Sequence, residues 1–260
     1  YMSREVIINA DDFGMSEAFN HGVIKGYLDG VVSSTTIMIN MPSVNHGVTL
    51  LKEKCPDLFV GLHVNFVLGK PCADPREIPS LVDEEGNFYS SKEYRSGRKK
   101  FEYEDVKKET LAQIERFKEV FGYYPKHIEG HAVSSDVIYE VFMEVSRELG
   151  IHCSVFDILK LQNPLKGCKK IKRPDCDYSV ITNRGVLVED FLNDEYGILK
   201  DNDSVIELHF HPGYLDKFIL DNSSLTLPRC IDLGTLCDER LKVWLKENDV
   251  NAISFGDLIS

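Results

Sequence analysis

The chain of 260 residues has no long apolar run and no C-x-x-C pair. No stretch is long enough to cross a bilayer, and the first residues enter a strand-like segment at 6–8 without the apolar region of a signal peptide. The seven cysteines are scattered, which excludes a zinc ribbon or thioredoxin motif and favours unpaired thiols in a reducing compartment. We therefore expect a cytoplasmic protein with no membrane partner.

Positive charge is also scarce. Asp and Glu number 42 against 30 Lys and Arg, which makes the formal net charge −12. Because a nucleic-acid-binding surface is basic, nucleic acid is disfavoured as a partner, whereas a neutral sugar is not. The nucleophile elbow of serine hydrolases, the P-loop and the G-x-G-x-x-G loop are missing as well, so the corresponding hydrolase, NTPase and dinucleotide functions lack support.

Strand-like and helix-like segments alternate along the chain. Short apolar or β-branched runs predict strands at 6–10, 34–40, 59–65, 126–130, 151–156, 204–209 and 250–254. Helical periodicity and capping residues predict helices from Ser16 toward Gly30, at 43–54, 104–120, 136–149 and 229–246. This order predicts an α/β fold, an irregular or incomplete (β/α) barrel of about seven parallel strands in a single domain over 1–260. A doubly wound open sheet is the main rival.

Two segments interrupt this alternation. Residues 69–103 contain several prolines and glycines and a basic run at 95–100. Because the segment is too long for a plain connection, we predict a functional flap or lid, with the basic run itself as a solvated loop. Residues 160–185 are rich in Pro, Lys and Asn, which predicts a second, irregular insertion.

Polar side chains with catalytic potential follow the ends of the predicted strands. Asp11 and Asp12 follow the first strand, His63 lies in the third, His131 follows the fourth and His211 follows the sixth. The strands of a parallel barrel all end on one face, where barrel active sites lie. We therefore expect these side chains to share one site.

The adjacent pair Asp11 and Asp12 suggests a bound cation. Two neighbouring carboxylates repel each other, and a metal ion would relieve that repulsion. With two imidazoles, a carboxylate forms a His-His-Asp set that leaves coordination positions open. The alternative is structural: one aspartate caps the next helix or forms a turn at Phe13-Gly14, and His63 and His131 are ordinary strand-end histidines.

His211 begins the sequence His211-Pro212-Gly213-Tyr214. The proline and glycine predict a tight turn that exposes the imidazole, which suits a general acid because imidazole titrates near neutral pH. The alternative is an ordinary turn with a surface histidine. His209, two residues earlier, should point in the same direction if the strand continues.

Several motifs, in this order, resemble those of the YdjC-like carbohydrate deacetylases, a family that includes chitooligosaccharide deacetylases. They are N-A-D-D-F-G at 9–14, G-L-H-V-N at 61–65, H-I-E-G-H at 127–131, E-L-H-F-H-P-G-Y at 207–214 and I-S-F-G-D-L at 253–258. The resemblance implies a barrel similar to that of polysaccharide deacetylases. It also implies an enzyme that hydrolyses the acetamide of an acetylated amino sugar or chitooligosaccharide and releases acetate.

The resemblance further implies roles for single residues. One divalent metal ion would be held by Asp12, His63 and His131. Asp11 would be the general base and His211 the general acid, and Arg229 would neighbour the catalytic carboxylate. Residues 132–135 stand where family members often carry further histidines, which predicts different contacts on the substrate side.

The metal, the partners and the competing functions follow from these assignments. Two imidazoles favour Zn²⁺ or another transition metal, whereas the resemblance allows Mg²⁺. A homodimer is the assembly to expect by frequency. Two other functions stay open: a phosphoesterase on the same barrel, which would need a second metal ion about 4 Å from the first, and a catalytically silent sugar-binding protein.

Overall fold

The computed structural model describes residues 4–154, 167–200 and 202–258, and strands and helices alternate through these ranges. The strands are β1 (Arg4–Phe13), β2 (Ser34–Ile37), β3 (Phe59–Val64), β4 (His127–Gly130), β5 (His152–Cys153), β6 (Ile171–Lys172), β7 (Val205–Phe210) and β8 (Val250–Ile253). The α-helices are α1 (Glu17–Leu28), α2 (Val44–Lys54), α3 (Ser91–Arg95), α4 (Tyr103–Phe121), α5 (Asp136–Leu149), α6 (Tyr178–Arg184), α7 (Val188–Leu192), α8 (Lys217–Asn222), α9 (Leu227–Leu236) and α10 (Glu239–Glu247). None of the helices in these ranges has the length and apolar composition that crossing a bilayer requires.

The strands form one sheet. Seven of them lie along a hydrogen-bonded path in the order β5-β4-β3-β2-β1-β7-β6, and β8 pairs with β1. The pairings of β1 with β7 and β8, of β3 with β4, of β4 with β5 and of β6 with β7 are all parallel. Among the described residues the path ends at β5 and at β6. The predicted fold class, an incomplete (β/α) barrel of parallel strands, is confirmed.

The chain divides into two compact units. The first unit comprises residues 1–36, 42–59 and 167–260, and the second comprises 37–41 and 60–166. In the first unit, Ile7, Val205, Phe255 and Leu258 form a buried apolar cluster. The middle of β1, at 6–8, is fully buried, as expected for a parallel strand covered on both faces. The single domain over 1–260 stays a prediction.

Helix boundaries follow the local sequence. Ser16 accepts a hydrogen bond from the Phe19 backbone N–H at the start of α1, and Ser135 accepts one from Ile138 at the start of α5. Gly122 ends α4 with a left-handed backbone, φ 83°, a conformation that glycine adopts without steric cost. These helix ends agree with the predicted helices. They are predictable because a cap depends only on neighbours in sequence.

Two predictions about regular structure are wrong. The helix predicted at 229–246 is two helices, α9 and α10, because the Asp238 side chain accepts from the Arg240 N–H and starts a new helix. The segment 160–185, predicted to be irregular, contains β6 and α6 in its described part. Residues 155–166 lie outside the described residues, so the strand predicted at 151–156 is described only as far as 154.

The segment 69–103 in the second unit has little regular structure, as predicted. It contains a 3₁₀ turn at Pro75–Glu77 and the short helix α3. Glu109 of α4 anchors it, since the carboxylate accepts the backbone N–H groups of Cys72 and Ala73, each at 2.9 Å. Burial raises the pKa of Glu109. The role of a flap or lid stays a prediction.

Candidate active site

In the first unit, the carboxyl end of β1 places Asp11 beside β7. The parallel register pairs Asn9 with His209, and His209 Nδ1 lies 3.0 Å from Asp11 Oδ1. Asn9 Nδ2 donates to the same oxygen at 2.7 Å. Asp11 is only 4% exposed. Strand pairing therefore fixes one oxygen of this carboxylate.

The second oxygen of Asp11 faces His211. Asp11 Oδ2 lies 3.9 Å from His211 Nε2. His211 follows the end of β7, and its backbone N–H donates to Asp232 Oδ2 at 2.9 Å. The first unit thus holds a buried carboxylate and a half-buried imidazole close together, which is the pairing that the predicted base and acid require.

His209 is held from two further sides. The Tyr178 hydroxyl accepts the His209 backbone N–H at 2.6 Å and donates to the His209 carbonyl. Glu207 Oε1 contacts His209 Nε2, so the ring lies between the carboxylates of Glu207 and Asp11. Sequence reasoning assigned no role to Tyr178 or Glu207. The signal for Glu207 is its place two residues before His209, on the same face of β7.

Asp12 has a strained backbone and a buried partner. Its φ of 64° is left-handed, a conformation that side chains other than glycine adopt at a cost. Asp12 Oδ2 accepts from Arg229 Nη1 at 2.9 Å, and the guanidinium also donates to Ser223 and lies 4.9 Å from the centre of the Phe19 ring. The resemblance associates Arg229 with the catalytic carboxylate. Its guanidinium pairs with Asp12, the neighbour of Asp11 in sequence.

Asp232 was missed by sequence reasoning. It is 2% exposed, and its carboxylate accepts the backbone N–H groups of His211 and of Val186, the latter at 2.8 Å. Burial raises the pKa of Asp232 to about 6, although these two donors and Arg229 lower it. The available signal was its spacing on α9, because a residue three positions after Arg229 lies on the same helical face.

In the second unit, neighbouring strands place a histidine against a glutamate. The register of β3 and β4 pairs His63 with Glu129, and His63 Nδ1 lies 2.9 Å from Glu129 Oε1. Both side chains are buried, at 2% and 0% exposure. A carboxylate only accepts hydrogen bonds, so this contact puts a proton on His63 Nδ1, and in the neutral ring the lone pair is then on Nε2.

His131 completes a pair of imidazoles. Its Nδ1 lies 3.2 Å from His63 Nε2, and the two rings meet edge to face. The His131 backbone N–H donates to the Val64 carbonyl at 2.9 Å, which continues the pairing of β3 with β4. The chain then turns at Ala132, whose φ of 58° is left-handed. The ring of His131 is therefore held between a strand end and a tight turn.

The two imidazoles fit a metal ion. With metal–nitrogen bonds of about 2.0–2.1 Å, two ligand nitrogens on one ion lie about 3.0–3.4 Å apart. A carboxylate on the other ring nitrogen, as Glu129 provides for His63, is the usual partner of a metal-binding histidine. Residues able to hold a metal ion include His63 and His131 in this unit and Asp12 in the first. Their joint action on one ion stays a prediction.

A cavity of about 480 Å³ lies in the second unit. Its wall combines side chains of the segment 69–103 with residues that follow His131. They are Tyr94, Arg95, Gly97, Lys99, Lys100 and Phe101 on one side and Ala132, Val133, Ser134, Ser135 and Val137 on the other. Tyr94 and Phe101 stack with centroids 3.9 Å apart, and Arg95 donates to the Ala132 carbonyl at 2.6 Å. Arg95, Lys99 and Lys100 line this cavity, and Arg95 and Lys100 are exposed, in agreement with the predicted solvated loop.

Comparisons with known proteins agree with the motifs. The model of the YdjC-like protein family matches residues 5–247. Carbohydrate deacetylase 2 of Listeria innocua is 34% identical over 98% of this chain and 98% of its own length. The carbohydrate deacetylase of Clostridium beijerinckii is 34% identical over 97% of this chain and 99% of its own. These names agree with the predicted enzyme class.

A solved structure shares the fold. It is a protein of Enterococcus faecalis V583, named for cellobiose-phosphate cleavage, and it matches with a TM-score of 0.85 at 24% identity. The match covers 99% of this chain and 100% of that one. At this identity the likeness shows the fold alone.

Proposed function

Because the chain belongs to the YdjC-like family, we propose that it is a metal-dependent hydrolase that removes the N-acetyl group of an acetylated amino sugar or chitooligosaccharide. The relatives named carbohydrate deacetylase support this substrate class. The observation within the chain that carries the proposal is the Asp11 carboxylate, fixed by Asn9 and His209 and facing His211. An oriented carboxylate beside an imidazole is a set able to take and give a proton.

We assign the metal ligands to Asp12, His63 and His131. The 3.2 Å spacing of the two ring nitrogens supports this assignment, as does the carboxylate behind His63. Arg229 holds Oδ2 of Asp12 and so fixes the orientation of that carboxylate. A bound divalent ion lowers the pKa of water and polarises a carbonyl. Two imidazoles favour Zn²⁺ or another transition metal, and the family allows Mg²⁺.

The proton steps fall to Asp11 and His211. A water oxygen forms a bond to the acetyl carbon while Asp11 takes the water's proton through Oδ2, the oxygen that faces His211. The C–N bond then breaks, and His211 gives its proton to the departing amine. Acetate and a free amino sugar result. Asp232 accepts the backbone N–H of His211 and so helps to hold the His211 side chain close to Asp11.

The cavity of the second unit is our candidate for sugar binding. Cavities that combine aromatic side chains with a few polar groups are typical of small-ligand sites, and this one brings Tyr94 and Phe101 together with basic side chains. Its wall includes residues 132–135, where family members often carry further histidines. We therefore expect the contacts with the sugar to differ from those of relatives.

Release of acetate tests the proposal directly. Metal-free protein is loaded separately with Zn²⁺, Co²⁺, Mn²⁺ and Mg²⁺ and incubated with N-acetylated chitobiose, and both acetate and new amine are measured. We expect equal amounts of the two products and none after chelation. No acetate with any of these ions, across a panel of acetylated sugars, would contradict the proposal. Hydrolysis of a phosphodiester instead would favour a phosphoesterase, and sugar binding without any product would favour a silent binding protein.

A further inference from the structure

A chain of buried polar side chains runs from His63 into the interior of the second unit. Glu129 Oε1 lies 2.9 Å from His63 Nδ1, and Glu129 Oε2 lies 3.4 Å from His127 Nε2. His127 Nδ1 in turn lies 2.7 Å from His152 Nδ1, and these two rings stack with centroids 5.0 Å apart. His63 is 2% exposed and the other three residues are 0% exposed. All four side chains are therefore shielded from solvent.

The parallel strands create this chain. The register pairs His63 of β3 with Glu129 of β4, and His127 of β4 with His152 of β5. Glu129 and His127 are two residues apart, so they lie on the same face of β4. Three neighbouring strands thus place the Glu129 carboxylate between the imidazoles of His63 and His127. The sequence alone does not reveal this arrangement, because it depends on the register of the strands.

Hydrogen-bond accounting gives the chain a direction. The Glu129 carboxylate only accepts, so His63 donates from Nδ1 and His127 donates from Nε2. A neutral His127 with its proton on Nε2 accepts at Nδ1, so His152 donates from Nδ1. Every donor in this arrangement then points toward Glu129. The proton positions are assigned from this complementarity.

We propose that Glu129 is a positioning residue for the metal site, and that His127 and His152 hold it in place. Glu129 fixes His63 in the tautomer that presents Nε2, the nitrogen that lies 3.2 Å from His131 Nδ1. The inference rests on the proposed function, because it concerns the same metal ligands. Partners of this kind typically contribute 10- to 100-fold to metal affinity.

A purely structural role for these four buried side chains would give a different result. A buried polar network stabilises a core when every member is satisfied. If Glu129 did only this, its replacement would lower stability and leave the metal affinity of the folded protein unchanged. Metal affinity therefore separates the two roles, and it does so without an activity assay.

The test compares two glutamates that share burial and unit. Glu109 is also 0% exposed and belongs to the second unit, but its carboxylate binds the segment 69–103 through the N–H groups of Cys72 and Ala73. Zn²⁺ affinity is measured by competition with a chelator for the wild type, Glu129→Gln and Glu109→Gln. We expect Glu129→Gln to bind Zn²⁺ about 10- to 100-fold more weakly and Glu109→Gln to bind it as the wild type does.

The outcomes separate this inference from the proposed function. Wild-type affinity in Glu129→Gln, or an equal loss in Glu109→Gln, overturns the positioning role. A wild type that binds none of Zn²⁺, Co²⁺, Mn²⁺ and Mg²⁺ overturns the proposed function instead. If Glu129→Gln does not fold, nitrogen-15 NMR of the metal-free wild type decides the question: we expect the His63 proton on Nδ1, and a proton on Nε2 contradicts the inference.

Discussion

The two units end their strands with different chemistry. The first unit gathers carboxylates, with Asp11 beside His209 and His211, and with Asp12 beside Arg229. The second unit instead pairs the imidazoles of His63 and His131 and backs them with Glu129. Carboxylate and imidazole together suit proton transfer, whereas paired neutral imidazoles suit a transition metal. In the proposed function, proton transfer belongs to the first unit, whereas two of the three metal ligands, His63 and His131, belong to the second.

The units resemble each other in how they hold these groups. Each has a residue other than glycine in a left-handed conformation next to the key side chain, Asp12 with φ 64° and Ala132 with φ 58°. Each also has a buried carboxyl that accepts two backbone N–H groups, Asp232 in the first unit and Glu109 in the second. Backbone strain persists only where the surroundings compensate for it. In both units, tertiary hydrogen bonds therefore hold a short stretch of backbone in place, at His211 in the first unit and at Cys72 and Ala73 in the second.

The largest expected effect comes from Asp11→Asn in the first unit. Asparagine keeps an acceptor for Asn9 and His209 but cannot take a proton from water. We expect acetate release to fall by about 10²- to 10⁴-fold, with Zn²⁺ affinity unchanged because the assigned ligands remain. Acetate assays and chelator competition measure the two quantities. Near-normal turnover would break the proposed division, as would a loss of metal binding equal to that of Glu129→Gln.

Arg229→Met tests the buried ion pair of the first unit. Arg229 and Asp12 have side chains only 2% and 1% exposed, and removing one partner of such a pair costs about 3–5 kcal/mol of unfolding free energy. The control is Arg184→Met, whose pair with Asp190 is partly exposed and should contribute about 1 kcal/mol or less. Urea denaturation of metal-free protein gives both values. Equal losses would show that burial does not distinguish the two pairs.

Asp232→Asn tests the raised carboxyl pKa. The folded state binds this proton more tightly than the unfolded state, because burial raises the pKa of Asp232 from 3.8 to about 6. The stability contributed by the protonated carboxyl is thus full below pH 3.8 and is lost as the pH rises through about 6. Relative to Asp232→Asn, the wild type should lose up to about 3 kcal/mol of unfolding free energy over that range.

The control for this pH dependence has the opposite sign. Hydrogen bonds from Ser254 lower the pKa of Asp257, so its contribution is present at higher pH and is lost as the pH falls through the lowered value. Against Asp257→Asn, the wild type should therefore gain stability with rising pH. Denaturation curves between pH 3 and 7 compare the variants. A difference between wild type and Asp232→Asn that does not change with pH would contradict the assignment.

The smallest effects concern the helix caps, where the two units should behave alike. Ser16 caps α1 in the first unit and Ser135 caps α5 in the second. We expect Ser16→Ala and Ser135→Ala each to lower the unfolding free energy by about 1 kcal/mol. Thermal or urea unfolding measures both. A cost confined to one of them would mean that the units differ in stability as well as in chemistry.

Several features of the site were predictable because they depend on order along the chain. The places of Asp11, His63 and His131 near strand ends followed from apolar runs and turn residues, although β1 continues to Phe13, beyond the predicted end at 10. The cap at Ser16 followed from the residue types that satisfy free N–H groups at a helix start. The break between α9 and α10 was missed, although Asp238 is a capping residue, because helical periodicity runs through it.

The partners of the site residues were not predictable, because they come from distant parts of the chain. Arg229 is 217 residues from Asp12, and His209 is 198 residues from Asp11. Glu129 meets His63 only through the register of two strands, and a shift of one residue would turn every side chain to the opposite face. Sequence by itself determined the fold class, the starts and ends of most helices, and the residue types near the strand ends. Tertiary structure decided which carboxylate pairs with which cation or imidazole, because register and packing determine the distances on which hydrogen bonding depends.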